Sequence, residues 1–353
     1  MHYFKNKYIL FFVTALTIFF FSTANGLAKS FQINDIEISK PFENNFDKNK
    51  VIDIGFKDAF SELMQILLKS SDYEKMNKVR LNEIKSMVES FSIKEEKFID
   101  EIYYVKIGVT FDKKKIFNFL EKKNIFPSQI FSEKFLFIPI IIDENINNLT
   151  IYSGNPIYDN WISFKKKHHL INYILPTEDL EDLTIIKKKY NEIENYNFKE
   201  IINKYYLDNC IITLIFVNNQ DVRVLSKIIT KNDIVIKNNT FSEFDLNNED
   251  KVKLLIDKLR NIYEDIWKEN NQINTSIKLP LIVRVDNKKS NELIKFENIL
   301  NELDLVNYFA IKKFNQNQIF YEIVFNGTPS NFIDIMRDRN YIFNTQKKIW
   351  ILK

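Results

Sequence analysis

Residues 135–143 read Phe-Leu-Phe-Ile-Pro-Ile-Ile-Ile-Asp, the most apolar run outside the N-terminus. Eight residues without a charge are too few to cross a bilayer, which takes about 20 on a helix. Ile dominates the run, Pro139 stands where a helix would be broken, and an acid closes it. Such a run forms a strand buried on both faces of a helix-covered sheet. The residues before it then make one small domain, and those after it complete a second and supply a whole third.

The 353 residues, 45% hydrophobic and 27% charged, suit a globular chain of two or three domains with proper cores. Asn, Ile and Lys are abundant and Gly is scarce, a bias toward A/T-rich codons, so the Lys content points to no particular partner. Residues 1–28 have the parts of a secretory signal. Lys5 and Lys7 give the positive start, residues 8–21 the apolar run, and Ala24-Asn25-Gly26 or Gly26-Leu27-Ala28 the small residues for cleavage, expected after Ala28. No Cys stands there to take a lipid. The expected localisation is periplasmic, the alternative being an uncleaved N-terminal membrane anchor. Taking 28 from 353 leaves 325 residues, and with two Lys lost the formal charge falls from +3 to +1. That balance speaks against a general nucleic-acid binder. The one Cys, Cys210, makes no internal disulfide, so packing must hold the exported chain together.

The pattern predicts an α+β protein of three small helix-backed sheet domains. The first, residues 29–130, reads β-α-α-β-α. It has a strand at 31–40 and a helix at 53–69 with Phe56, Ala59, Phe60, Leu63, Met64 and Leu67 in one stripe. A second helix follows at 75–89, then a long strand at 98–112 and a helix at 113–123. The second, a central α/β domain of residues 131–270, holds the apolar run, a strand at 149–152, a turn at 153–156 and a helix at 159–169. A strand at 170–175 and helices at 180–194 and 198–206 come next. The apolar strand 210–217 belongs beside the central run, followed by antiparallel strands at 222–230 and 234–243 and a helix at 248–270. After a polar linker at 270–275, residues 275–353 read β-α-β-β-α-β, the ferredoxin-like split unit. Its strands fall at 279–285, 308–314, 319–325 and 341–352, and Gly327-Thr328-Pro329 opens its second helix.

Chemistry-bearing residues are few. Gly26, Gly55, Gly108, Gly154 and Gly327 are scattered, and no phosphate-cradling loop can be built from them. His168 and His169 would point about 100° apart on a helix, poor co-ligands for one metal, and follow three Lys that repel a cation. They read as helix-end residues complementing the dipole. Glu178, Asp179, Glu181 and Asp182 lack the spacing of a calcium loop and read as a helix start, with Thr177 or Asp179 as N-cap. The basic triplets 113–115, 165–167 and 187–189 read as solvated helix surface, Cys210 as a small core residue, and Trp161, Trp267 and Trp350 as core anchors. No catalytic, cofactor-binding or metal-binding residue is assigned, and no cofactor is expected.

One resemblance does emerge from the order of features. Asp58-Ala59-Phe60-Ser61-Glu62-Leu63-Met64, the strand YYVKIGVTFD from Tyr103, FLFIPIII, Leu175-Pro176-Thr177-Glu178-Asp179, Asn203-Lys204-Tyr205-Tyr206-Leu207-Asp208, Ile266-Trp267-Lys268 and Lys348-Ile349-Trp350 follow a signal sequence in that order. The layout resembles the domain of unknown function 2066 family of proteobacterial envelope proteins, over nearly all the mature chain. The middle domain is also similar to the TolB N-terminal domain. The resemblance implies export to the periplasm and no established activity. The expected function is a non-catalytic binding or scaffolding protein of the cell envelope, with an envelope protein as partner, no nucleic acid, and membrane contact only if the signal is retained. The alternatives are an envelope-polymer hydrolase using Glu178 or Asp182, and a tethered protein whose Lys triplets touch anionic lipid.

Overall fold

Apolar residues at alternate positions start the fold, and a bulge keeps them facing inward. In β1 (Ser30–Pro41), Phe31 and Ile33 are buried, but the next buried residues are Ile36 and Ile38. The three-residue step is absorbed at Asp35 (φ 59°), where the register with the neighbouring strand shifts. The computed structural model describes residues 30–219, 221–231, 233–242, 244–286 and 290–353. The expected signal sequence lies outside them.

Helix α1 (Lys48–Leu67) is capped by Asp47, whose side chain accepts from Asn49 N at 2.9 Å, and buries the predicted stripe from Phe56 to Leu67. The helix expected at 75–89 is broken up. Short α2 (Ser70–Tyr73) and a 3₁₀ turn (Glu74–Lys78) precede α3 (Leu81–Met87), and the chain then extends into β2 (Val88–Ile99). The strand expected at 98–112 is therefore the second arm of a hairpin, β3 (Ile102–Asp112), joined to β2 through Asp100 and Glu101. The three strands form an antiparallel sheet in the order β1-β3-β2. Helix α4 (Lys113–Lys122), capped by Asp112, covers it with Ile116, Phe117 and Leu120, Phe117 lying 5.6 Å from Phe31.

The apolar run is β4 (Glu133–Asp143), and both of its faces are buried as expected. Short β5 (Asn148–Thr150) pairs with its end, and β6 (Ile171–Ile174) with its beginning. Pro139, which has no N–H to give, lies in the gap between them. Asn155, fully buried ahead of α5 (Pro156–Asn160), donates to the carbonyls of Pro139, Thr150 and Ile151 and caps α5 with its Oδ1. The helix expected at 159–169 is thus replaced by α5 and a 3₁₀ turn (Ile162–Phe164), because Pro156 starts the helix early and the Lys run after it has no apolar stripe.

Helices α6 (Leu180–Lys188) and α7 (Lys199–Asn203) lead to β7 (Cys210–Asn218), which runs parallel beside β4, and β8 (Asp221–Ile229) and β9 (Ile234–Phe241) extend the sheet antiparallel. On one face Phe135, Phe137 and Ile141 meet Trp161 and α8 (Glu249–Asn270); on the other Leu136, Ile138, Ile140 and Ile142 meet residues of α6 and α7.

The last sheet begins with β10 (Leu279–Asp286), followed by α9 (Ser290–Glu302), β11 (Val306–Phe314), β12 (Gln318–Phe325) and α10 (Pro329–Arg337). Thr328 caps α10 and Pro329 opens it, as the sequence predicts. The order β11-β12-β10 is that of a split unit. Its close differs from the single strand expected at 341–352. The polar stretch from Asn344 to Lys348 turns, Asn344 accepting from Gln346 N, and divides the segment into β13 (Phe343–Asn344) and β14 (Ile349–Leu352). β14 then runs parallel to β10. The fold is α+β, with 37% helix, 35% strand and three helix-backed sheets.

By internal contacts the chain divides into two compact units. Of the described residues, one unit holds those from Ser30 to Phe46 with Lys85–Asn124 and Ile273–Lys353; the other comprises Asp47–Ile84 and Ile125–Gln272.

Candidate functional site

The polar interior of the central unit rests on one face of α8. Arg260, Glu264 and Lys268 follow each other at four-residue spacing, one helical stripe, and all three are buried. Glu264 accepts the backbone N–H groups of Leu170 and Ile171 at 3.0 Å each, fixing the start of β6. Burial raises its pKa, and those two hydrogen bonds offset part of the rise. Arg260 donates to the carbonyl of Trp161 and stacks 4.7 Å over the rings of Trp161 and Tyr173. Lys268 donates to the carbonyls of Gln65 (2.6 Å) and Leu68 (3.1 Å) at the end of α1. On the neighbouring stripe Asp265 accepts from the N–H of Ser70 at 2.8 Å and from its hydroxyl. Three charges on the apolar side of an amphipathic helix are the sequence signal for this ladder, and no single motif marks them as a group.

His168 and His169 do not end a helix, contrary to expectation. They lie in the turn before β6, where Arg260 Nη1 comes within 3.4 Å of His169 Nδ1. Burial lowers His168 to about 4 and His169 to about 3, helped by the positive charges of Lys166, Lys268 and, at His169, Arg260.

The acidic cluster is a helix start. Asp179 caps α6, accepting from Glu181 N (2.8 Å) and Asp182 N (3.3 Å), while Glu178 accepts from Ser153 N at 3.2 Å. Lys204 Nζ bridges Asp179 (2.8 Å) and Asp182 (2.7 Å), and these bonds hold the Lys204 ammonium above its usual range. Two of the four acids thus share one cation. Among the described residues no group of three His, Cys, Asp or Glu is arranged to hold a metal ion.

Each basic triplet contributes at least one lysine to an ion pair. Lys113 pairs with Asp304 at 2.7 Å, Lys115 with Asp112, Lys166 with Asp257, and Lys189 with Glu192. Cys210 is buried at the start of β7, where burial pushes its thiol up and away from reactivity. Trp161 stacks on Phe137 at 3.8 Å, and Trp267 packs edge-on to Phe131 and Phe135. Trp350 joins Phe332 and Phe343. All three Trp anchor cores.

Two kinds of open surface remain. A polar depression of about 590 Å³ lies beyond the carboxyl ends of β4 and β7, where α/β sheets bind ligands. Several of its side chains are engaged by the surrounding loops: Asp143 accepts from Asn145 N, Asn145 from Asn219 N, and Asp245 from Asn247 N. The other surface is the sheet edges. β2, β9 and β11 are each the last strand on one side of their sheet. All three expose apolar side chains there: Phe91, Ile93, Phe98 and Ile99 on β2, Ile234 and Ile236 on β9, Tyr308, Ile311 and Phe314 on β11. Natural sheets usually blunt such edges.

These features define an α+β protein with a hydrogen-bonded charged interior and, among the described residues, exposed apolar side chains on a terminal strand of each of three sheets. No family model matches the chain, and no curated protein matches it. Among the described residues no helix is long and apolar enough to cross a membrane.

Proposed function

We propose that the chain is a non-catalytic binding or scaffolding module of the cell envelope, exported to the periplasm, that takes up partner proteins by strand addition. The observation that carries the reading is the repetition of one feature: each of three sheets ends in an edge strand with exposed apolar side chains. A partner strand added there satisfies the edge backbone through main-chain hydrogen bonds and covers those side chains. The signal-like N-terminus and the resemblance to the domain of unknown function 2066 family support the compartment, and the similarity to the TolB N-terminal domain supports an assembly role.

The hydrolase reading loses its main support at Asp182. That carboxylate is bonded to Lys204 behind a helix start, a position suited to holding structure and poorly suited to delivering a proton. The anionic-lipid reading loses the free charge it needs, because several triplet lysines are already paired.

Crosslinking a C-terminally tagged chain in the cell, followed by mass spectrometry of what copurifies from the envelope, tests the reading. A stoichiometric protein partner whose crosslinks map to β2, β9 or β11 supports it. Recovery of the chain with a glycan fragment and no protein overturns it.

A further inference from the structure

The edge strand β2 has a complementarity to itself. Its pairing with β3 places Phe91, Ile93, Glu96 and Phe98 opposite Val109, Ile107, Val105 and Tyr103, the buried side of the sheet. Ser92, Glu95 and Lys97 stand opposite Gly108, Lys106 and Tyr104, on the other side. Between Ile93 and Glu95 the register slips by one residue, a bulge at Lys94. The Lys94 side chain runs across Gly108 toward Asp35, so Lys94 and Glu95 share the second face. Phe91 is 48% exposed and Phe98 54%.

An antiparallel partner strand must match these faces residue for residue, bulge included. A second β2 does so in one register, with the two-fold axis between Lys94 and Glu95. Phe91 then faces Phe98 of the second copy, Ile93 faces Glu96, and Ser92 faces Lys97. Lys94 faces Glu95, and every pair occurs twice. The two bulges oppose each other, so neither strand gains a residue on the other. Sliding by two residues one way sets Glu95 against Glu96 and Lys94 against Lys97; sliding the other way sets Ile93 against Lys94, which stand on opposite faces. Like charges directly opposite are unfavourable, whereas aromatic and opposite-charge pairs stabilise.

We infer that β2 pairs antiparallel with β2 of a second copy of this chain, Phe91 against Phe98 and Lys94 against Glu95, joining two three-stranded sheets into one of six strands. The inference goes beyond the envelope reading by naming the occupant of one edge, and it leaves β9 and β11 for other proteins.

Cysteine pairs read the register directly. In the full chain, S92C together with K97C is expected to give a covalent dimer under mild oxidation, and either substitution alone is expected to give no covalent dimer. The two positions of one strand are about 16 Å apart, too far to bridge each other. Buried Cys210 does not compete. Charge exchange gives a second readout, with circular dichroism checking that loss of the Lys94–Asp35 contact leaves the fold intact: K94E should weaken the dimer about tenfold in sedimentation equilibrium, and K94E with E95K should restore it. A monomer throughout the micromolar range with no covalent dimer overturns the inference. So does crosslinking of S92C/K97C in the cell to a different protein only, an outcome that leaves the scaffolding reading standing.

Discussion

Lys204 Nζ lies 2.7 Å from Oδ1 of Asp182, a carboxylate that is 1% exposed, and 2.8 Å from Oδ2 of Asp179, which caps α6. The lysine comes from the end of α7, so one cation joins the start of one helix to the end of another. An acid placed this way maintains the packing of α6 against β4 and β7, the face that holds Ile186, Leu136 and Ile212.

Replacing Asp182 with Asn should therefore act on stability. The amide keeps an acceptor for Lys204 but loses the charge-assisted bond and places a donor where Oδ2 has no partner. The expected cost is about 1–2 kcal/mol, read as a lower urea midpoint with an unchanged far-ultraviolet circular dichroism spectrum.

Glu264 carries the larger expectation. Both of its oxygens accept a backbone N–H at 3.0 Å in a buried setting, so Glu264→Gln would turn an NH₂ group against one of those donors. Two donors facing each other without water cost about 2–3 kcal/mol. Chemical denaturation should show that loss, and amide exchange at Leu170 and Ile171 should accelerate while exchange in the middle of β7 follows global stability.

The contrast between these sites and the edges explains what was legible in the sequence. Continuous apolar runs such as Phe135–Ile142 and Cys210–Val217 announce buried strands, because burial on both faces leaves no polar position to confuse the period. The stripe of α8 was equally plain. β2 reads as helix and loop in the sequence because its alternation is broken by the bulge at Lys94 and by Glu95-Glu96-Lys97, charges that an edge strand tolerates since one of its sides meets water. The turn at His168-His169 reads as a helix end in the sequence because nothing local signals that Arg260 and Glu264, ninety residues away, organise it. The division of residues 341–352 into a hairpin hung on a polar stretch short enough to pass as strand surface.

The two histidines make stability depend on acidity. In the unfolded chain each imidazole titrates near its ordinary value of about 6.5, whereas burial holds folded His168 at about 4 and His169 at about 3. The folded state thus binds fewer protons, and stability is lost as the pH falls from about 6.5 toward those values. Glu264, raised by burial, works in the opposite direction, so the histidine contribution is isolated by comparing slopes. Between about pH 7 and about pH 4.5 the wild type should lose about 1 kcal/mol more than His169→Asn, after allowing for partial access of water to the ring. Urea midpoints at the two pH values check this.

The hairpin that presents β2 turns through Asp100 (φ 50°) and Glu101 (φ 61°), both in the left-handed region that a two-residue hairpin turn requires. Left-handed backbone costs a residue with a Cβ about 1–2 kcal/mol, and glycine avoids this while losing about 0.5–1 kcal/mol of extra chain freedom. Glu101→Gly should therefore stabilise by about 0.5 kcal/mol, a melting temperature higher by a degree or two. The Glu101 carbonyl accepts from Phe42 N at 2.7 Å through the backbone, so the substitution leaves that contact in place. Because the turn fixes the register of β2 on β3, and with it the alignment of Phe91 and Phe98 at the edge, the same variant should also keep the S92C/K97C crosslink. Loss of that crosslink in a more stable hairpin would mean that the edge pairs in some other alignment.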